Sequence, residues 1–432
     1  MKFKKLLSLG IILSMTSSVL VGCSSSKDNS KSSDESLKIT LVADVGGIND
    51  ESFNQSAWEG LQRAKDELGV DVNVLESKQS SDYVPNVETA VDNDSDLVIG
   101  VGFQMNTAIE NAAKSYPETN FAIIDASFEN QPENVSSLMF NAQEASYLTG
   151  IIAAKKSKTN KVGFIGGTKE AVIETFEYGF MAGAKAANND IEVLRQYADT
   201  YTDASKAKSI ANLMHSKDVD VIFTAAGSAG LGPIEVAKEN NKMAVGVDKD
   251  QNSLAPENVI TSAVKRVDVA VFNTVKDLLE GNFKGGQVNV FGLKEDGVGI
   301  SETTSKNVDK EILALVEEHA QKIKNGEIKV PSNEKEYEEL QQIREAIKGY
   351  DYKELSFPVL KYNREVLLSV KNYNKLSKEL GLDKISSKLE KYEGIIIPSS
   401  NSQEHINSLK QLKNYSIKNL NIEVKKSKNK NV

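Results

Sequence analysis

From residue 37 onward, short apolar runs alternate with longer stretches in which apolar residues recur every three or four positions. The short runs predict strands at 38–43, 70–75, 96–102, 121–125, 162–165, 192–197, 218–224, 243–247 and 259–263. The longer stretches predict helices at 55–68, 104–116, 171–187, 203–216 and 231–239. Alternation of this kind is the signature of parallel sheets covered by helices on both faces, an α/β class. Most predicted strands end in Gly, Asp or Ala, at the carboxyl edge where open α/β sheets place their ligands. Two such series are visible, one ending near Gly150 and one starting near Lys161, each close to the size of one doubly wound domain.

The expected layout is therefore a two-lobed region over 37–340. One lobe takes about 37–145 and 265–287, the other about 146–264 and 288–340. The strands at 259–263 and 288–293 are expected to carry the chain back and forth between lobes. Two doubly wound lobes joined by a hinge are the architecture of a periplasmic-type binding protein.

The ends of the chain follow other patterns. Met1 to Lys5 holds three lysines, an apolar run follows to Leu20, and Leu20-Val21-Gly22-Cys23 comes next. This is a signal segment too short to span a bilayer. Small residues before the sole cysteine resemble a lipobox, so 1–22 is expected to be removed and Cys23 diacylated, with an ordinary signal peptide and an incidental cysteine as the alternative. Residues 23–36, rich in Ser, Lys and Asp, then form a tether. Residues 341–432 carry 18 Lys and Arg against 10 Asp and Glu, a charge of +8, which leaves −17 for the rest of the chain's net −9. Two readings of that basic extension stay open: contact with a wall polyanion or partner protein, or an extension with a solvated basic face.

Composition excludes several functions. A net charge of −9 argues against a nucleic-acid binder. One Cys and three His (His215, His319, His405) leave no disulfide framework and no zinc-ligand spacing. None of the three His falls in a strand-end motif, which argues against a hydrolase. The glycine-rich run 227–232 lacks the Lys-Ser/Thr pair of a phosphate loop, so a nucleotide is disfavoured.

The richest chemistry follows the first strand, where residues 44–55 mix Asp44, Gly46, Gly47, Asn49, Asp50, Ser52 and Asn54 with one aromatic, Phe53. Glycines allow close approach of backbone to a ligand, and the acids and amides offer hydrogen-bonding groups. Phe53 either plugs the loop onto the core or stacks a flat ligand.

Residues 44–60, with Phe140-Asn141-Ala142-Gln143-Glu144-Ala145 and Gly246-Val247-Asp248-Lys249-Asp250-Gln251, resemble the basic membrane protein, or PnrA-like, lipoprotein family. The likeness covers roughly residues 1–335. It implies a class I periplasmic-binding-protein fold and the role of a lipid-anchored, extracytoplasmic nucleoside receptor. Its implied partners are an ABC permease and ATPase, and it implies a monomer without a cofactor. Carried over position by position, it implies ligand contacts at Asp44, Phe53, Asp125, Tyr201, Gly227, Asp248 and Lys265, and Tyr201 stands where the family has Phe. Two aromatic faces suit a planar purine, and Asp248 suits the vicinal hydroxyls of ribose. Lys265 suits a ribose oxygen while neutralising that acid, and Asp44 and Asp125 are left for the base edge. Asn49 is a further candidate contact. The competing readings are a receptor for another small solute such as a sugar, and a surface-interaction lipoprotein working through its basic extension.

Overall fold

A computed structural model describes residues 36–347, with side chains as far as Gln341. The signal segment, Cys23, nearly all of the tether and most of the 341–432 extension lie outside the described residues. The chain opens with β1 (Lys38–Ala43), α1 (Phe53–Leu68), β2 (Asp71–Glu76), α2 (Tyr83–Asp92), β3 (Leu97–Val101), α3 (Asn106–Ser115), β4 (Asn120–Ile124) and β5 (Val135–Phe140). It continues through α4 (Ala142–Lys156), β6 (Lys161–Gly166), α5 (Ala171–Ala187), β7 (Glu192–Tyr197), α6 (Ala204–His215), β8 (Val221–Ala225), α7 (Leu231–Glu239), β9 (Met243–Asp248) and β10 (Val259–Lys265). The remainder is α8 (Val267–Leu279), β11 (Gln287–Phe291), β12 (Val298–Ile300), α9 (Thr304–Asn307), α10 (Lys310–Lys324) and α11 (Glu334–Ile347).

Among the described residues the strands form two six-stranded sheets, ordered β11-β5-β4-β3-β1-β2 and β12-β10-β9-β8-β6-β7. Every pairing is parallel except β10 with β12, which is antiparallel. The central strands are apolar along their whole length, as in Leu97–Val101 and Val221–Ala225, because helices cover both faces. The edge strands β2, β7 and β11 are half exposed and carry charged or amide residues.

Three expectations require correction. The strand near 288–293 is β11 at Gln287–Phe291, and it pairs with β5 from Gln287 opposite Ser136 to Phe291 opposite Phe140. It therefore belongs to the first sheet, and the passage into the second lobe comes after Phe291. The strand expected at 259–263 runs on to Lys265 and stays in the second sheet, so the chain leaves that lobe after Lys265. The predicted strand start at Asp218 also moves, to Val221, because Asp218 adopts a left-handed turn conformation at φ 69°.

The helix α4 was not expected. It is buried from Ala145 through Ala154 on every side, so it shows no amphipathic period to read. It lies directly against α5, where glycines replace side chains at the crossing. A Cβ on Gly183 would collide with the Tyr147 carbonyl, and one on Gly150 with the Phe180 carbonyl. Backbone contact of this kind packs the two helices at close range. The last two helices extend the same lobe, with α10 on α4 and α11 on α5, where the Tyr178 and Tyr337 rings lie 5.7 Å apart.

Gly183→Ala is expected to lower unfolding stability by about 1–3 kcal/mol through overpacking. Gly299→Ala, at a position with open space around it, is expected to stay within about 0.5 kcal/mol of the parent. Urea denaturation of the two variants checks this, and equal midpoints would contradict the helix-crossing account.

Candidate functional site

The carboxyl edges of the two sheets face one cleft, and residues just past the strand ends line it: Asp44 after β1, Asp125 after β4, Asp248 ending β9 and Lys265 ending β10. The unfilled space between the lobes is about 610 Å³, part of it continuous with solvent.

On the first lobe, Asp50 organises the wall. Its Oδ1 accepts from the amides of Ser52 (2.9 Å) and Gln55 (3.0 Å), and its Oδ2 accepts from the Asn54 amide (3.0 Å). These bonds satisfy donors at the start of α1 that the helix itself cannot. Asn54 passes the order on. Its Nδ2 donates to Asp50 Oδ2 at 3.1 Å and to Asp44 Oδ1 at 2.7 Å, and its Oδ1 accepts from the Asp44 amide at 3.1 Å. With Gly46 N–H also donating to Oδ1 at 2.8 Å, one oxygen of Asp44 is engaged by the wall. The other, Oδ2, lies beside Gly102, where a Cβ would come within 3.3 Å of it and 3.5 Å of the Phe53 ring and where a φ of 109° favours glycine.

At the cleft's centre the Lys265 ammonium, 3% exposed, donates to Asp125 Oδ2 at 2.5 Å and lies 3.9 Å from Asp248 Oδ1. Rings of Phe53, Phe140 and Phe176 stand 4.4, 5.4 and 5.7 Å from the same nitrogen, supplying cation–π attraction where water is scarce. Asp125 and Asp248 both take left-handed backbone at φ 62°. Aspartate tolerates that region better than most residues, and it turns each carboxylate from the strand end into the cleft.

Two carboxylates here ionise late. Burial pushes Asp248 up to about 6, against the opposing pull of Lys265 and the Ser52 hydroxyl and with help from the charges of Asp50 and Asp125. Burial likewise pushes Asp44 up to about 6, with the Gly46 amide and Asn54 side chain opposing and Asp50 and Asp248 adding.

On the second lobe, the Tyr201 ring packs against Gly167, where any Cβ would strike it, and its hydroxyl bonds Thr168 Oγ1 at 2.7 Å. Burial raises its phenol pKa. Gly227 opens the short 3₁₀ turn before α7 at φ 53°, and the Tyr201 carbonyl accepts from the Ala229 amide (2.9 Å) and the Ser228 hydroxyl (3.0 Å). Val172, Ile173 and Phe176 of α5 add an apolar surface.

All seven residues singled out in the sequence, Asp44, Phe53, Asp125, Tyr201, Gly227, Asp248 and Lys265, lie in the lining of this one cleft, with Phe53 and Tyr201 on opposite lobes. Asn49 does not; it is exposed at the surface. Sequence reasoning missed Asn54, Phe103, Gln104 and Phe176. Phe176 sits in a helix whose apolar period gives it a core role equally well, and Gln104 carries no distinctive signal. Asn54 lay inside the motif already quoted and was readable as the partner of two nearby acids.

Known proteins share the sequence pattern and the fold of this chain. The sequence profile of the family described as ABC transporter substrate-binding protein PnrA-like matches residues 38–334. A CD4+ T-cell-stimulating antigen of Listeria innocua is 43% identical over 354 residues, covering 76% of this chain and 99% of that protein. The ABC transporter nucleoside-binding protein BmpA of Lactococcus lactis is 37% identical, covering 76% and 99%. Basic membrane protein A of Borreliella burgdorferi is 40% identical, covering 70% and 89%. Among solved structures, an ABC transporter solute-binding protein of Aeropyrum pernix superposes with a TM-score of 0.66 at 30% identity, covering 72% of this chain and 98% of that one. With the profile spanning more than half of its length, this chain belongs to the PnrA-like family of ABC transporter substrate-binding proteins.

Proposed function

We propose that the chain is an extracytoplasmic receptor, tethered to the membrane by a lipid on Cys23, that captures purine nucleosides between its lobes and delivers them to an ABC permease. The observation that carries the ligand assignment is the cleft itself: aromatic rings on opposite lobes, Phe53 and Tyr201, line the same space as a buried Lys265 set against Asp125 and Asp248. A planar base between Phe53 and Tyr201 gains stacking of about 1–3 kcal/mol per base, by analogy with nucleic-acid sites. Asp248 accepts from the vicinal ribose hydroxyls, and Lys265 donates to a ribose oxygen while balancing the buried acids. Asp44 Oδ2 and Asp125 face the base edge, where ring N–H and amino groups donate. A phosphate would meet Asp44, Asp50, Asp125 and Asp248 with a single Lys265 to offset them, so the nucleoside is favoured over the nucleotide. The nucleoside-binding name of the Lactococcus lactis relative supports the same class of ligand. Among the described residues no helix is long and apolar enough to cross a membrane.

Thermal unfolding of the full chain with inosine, guanosine or adenosine at about a hundred times its Kd is expected to show about 2.7 kcal/mol of stabilisation. Ribose alone is expected to give none. Asp248→Ala is expected to remove the effect while the circular dichroism spectrum is kept; an undiminished shift in that variant would refute the sugar-reading role.

The late ionisation of Asp44 and Asp248 sets a pH dependence with opposite signs for folding and binding. Both pKa values rise from an ordinary 3.8 to about 6 on folding. Between those values the folded chain holds protons that the unfolded chain has lost, so the stability these groups contribute declines as pH rises through that window. Nucleoside donors need the ionised carboxylates, so affinity rises with pH through about 6. Below that it is expected to fall about tenfold per pH unit for each acid that must ionise. Isothermal titration with inosine from pH 5 to 8 measures this, and a flat profile would contradict it.

A further inference from the structure

Four residues of the two strand-end motifs have no part in the ligand scheme: Glu51 and Ser52 before α1, and Lys249 and Gln251 after β9. Each takes part in a contact between the two lobes. Ser52 is fully buried on the first lobe, and its hydroxyl donates to Asp248 Oδ2 of the second lobe at 2.5 Å. Its own amide is already held by Asp50 at 2.9 Å. Gln251, 4% exposed, has its Oε1 bound to the Val247 amide (3.0 Å) and its backbone amide bound to Ser262 Oγ (3.1 Å). So fixed, its Nε2 donates across the lobes to the Glu51 carbonyl at 2.8 Å. Glu51 offers that carbonyl from a left-handed conformation, φ 53°, which is costly for a residue with a side chain. Lys249 Nζ reaches Glu59 Oε1 at 2.5 Å, but Glu59 is half exposed, so solvent and salt weaken that pair.

We infer that the Ser52 hydroxyl and the Gln251 carboxamide form a latch that favours the closed arrangement of the lobes, with Asp248 acting both as the cleft's sugar acceptor and as the latch's anchor. This rests on the nucleoside reading of Asp248. The coupling is electrostatic. A donor from the ligand stabilises the ionised form of Asp248, and the ionised form is the stronger acceptor for Ser52. In return, Ser52 lowers the cost of keeping that carboxylate charged out of water. Occupancy and closure therefore support each other through one shared carboxylate, and linkage requires the effect to be reciprocal. Ser52 and Gln251 are positioning residues: they set how long the ligand stays without touching it.

Stopped-flow measurement with inosine on the full chain tests this. Ser52→Ala is expected to raise the dissociation rate about tenfold and leave the association rate unchanged. It is also expected to move the acid limit of binding to higher pH, because Asp248 loses a donor that favours its ionised form. Gln251→Glu keeps the acceptor for the Val247 amide, removes the donor to Glu51, and is expected to speed dissociation as well. A Ser52→Ala chain with the parent's dissociation rate and an unmoved acid limit overturns the latch. If the parent chain fails to bind inosine, the nucleoside reading fails, and the latch is then judged without added nucleoside. Small-angle scattering should give the Ser52→Ala, Gln251→Glu double variant a larger radius of gyration than the parent; superimposable profiles overturn the latch.

Discussion

The site is organised around one buried cation. Lys265 stands in the seam between two sheets with 3% of its side chain exposed, and Asp125 and Asp248 beside it are 7% and 8% exposed. Charges removed from water to this degree are tolerated only in each other's company, and removing one member of such a set typically costs about 3–5 kcal/mol. Asp125 comes from the first lobe and Asp248 and Lys265 from the second. The charge balance is thus met only where the lobes meet. The arrangement also leaves an excess of acceptors over donors, because Asp44 and Asp50 line the same cleft. Such a cleft suits a neutral ligand rich in hydroxyl and N–H groups.

The fold serves this arrangement in a direct way. Open parallel sheets end all their strands at one edge, and each lobe aims that edge at the other. The strand ends then need residues that can turn out of the sheet. Asp125 and Asp248 do so with left-handed backbone, and Gly102 and Gly227 do so without a side chain to obstruct the ligand. Behind them, Asp50 and Asn54 hold Asp44 in one orientation, so the wall is set before any ligand arrives. Preorganisation of this kind reduces the ordering cost of binding.

The sequence made much of this legible, for physical reasons that differ by element. Strands such as Lys38–Ala43 and Glu192–Tyr197, and helices such as Ala171–Ala187, show clear periods flanked by turn residues, and their observed bounds match the expected ones. The α4 helix was invisible because a segment buried on every side has no polar face, and β12 was too short to stand out. The lobe of β11 was misjudged because chain order says nothing about which sheet edge a strand joins; only the pairing of Gln287–Phe291 with β5 settles it. For the site, residue types at strand ends offered candidates that a helix cap or surface charge could equally explain. Motif resemblance selected seven, and the structure gathers those seven around one cleft. Contacts across the lobes, such as Ser52 with Asp248, were beyond sequence reasoning because 196 positions separate the partners.

A crystal structure of the chain grown with inosine tests the cleft's role most directly. The expected complex has a hypoxanthine ring sandwiched by Phe53 and Tyr201, ribose hydroxyls on Asp248, and Lys265 within hydrogen-bonding distance of the sugar. Inosine bound elsewhere, or a ribose that leaves Asp248 and Lys265 paired only with protein, would contradict it.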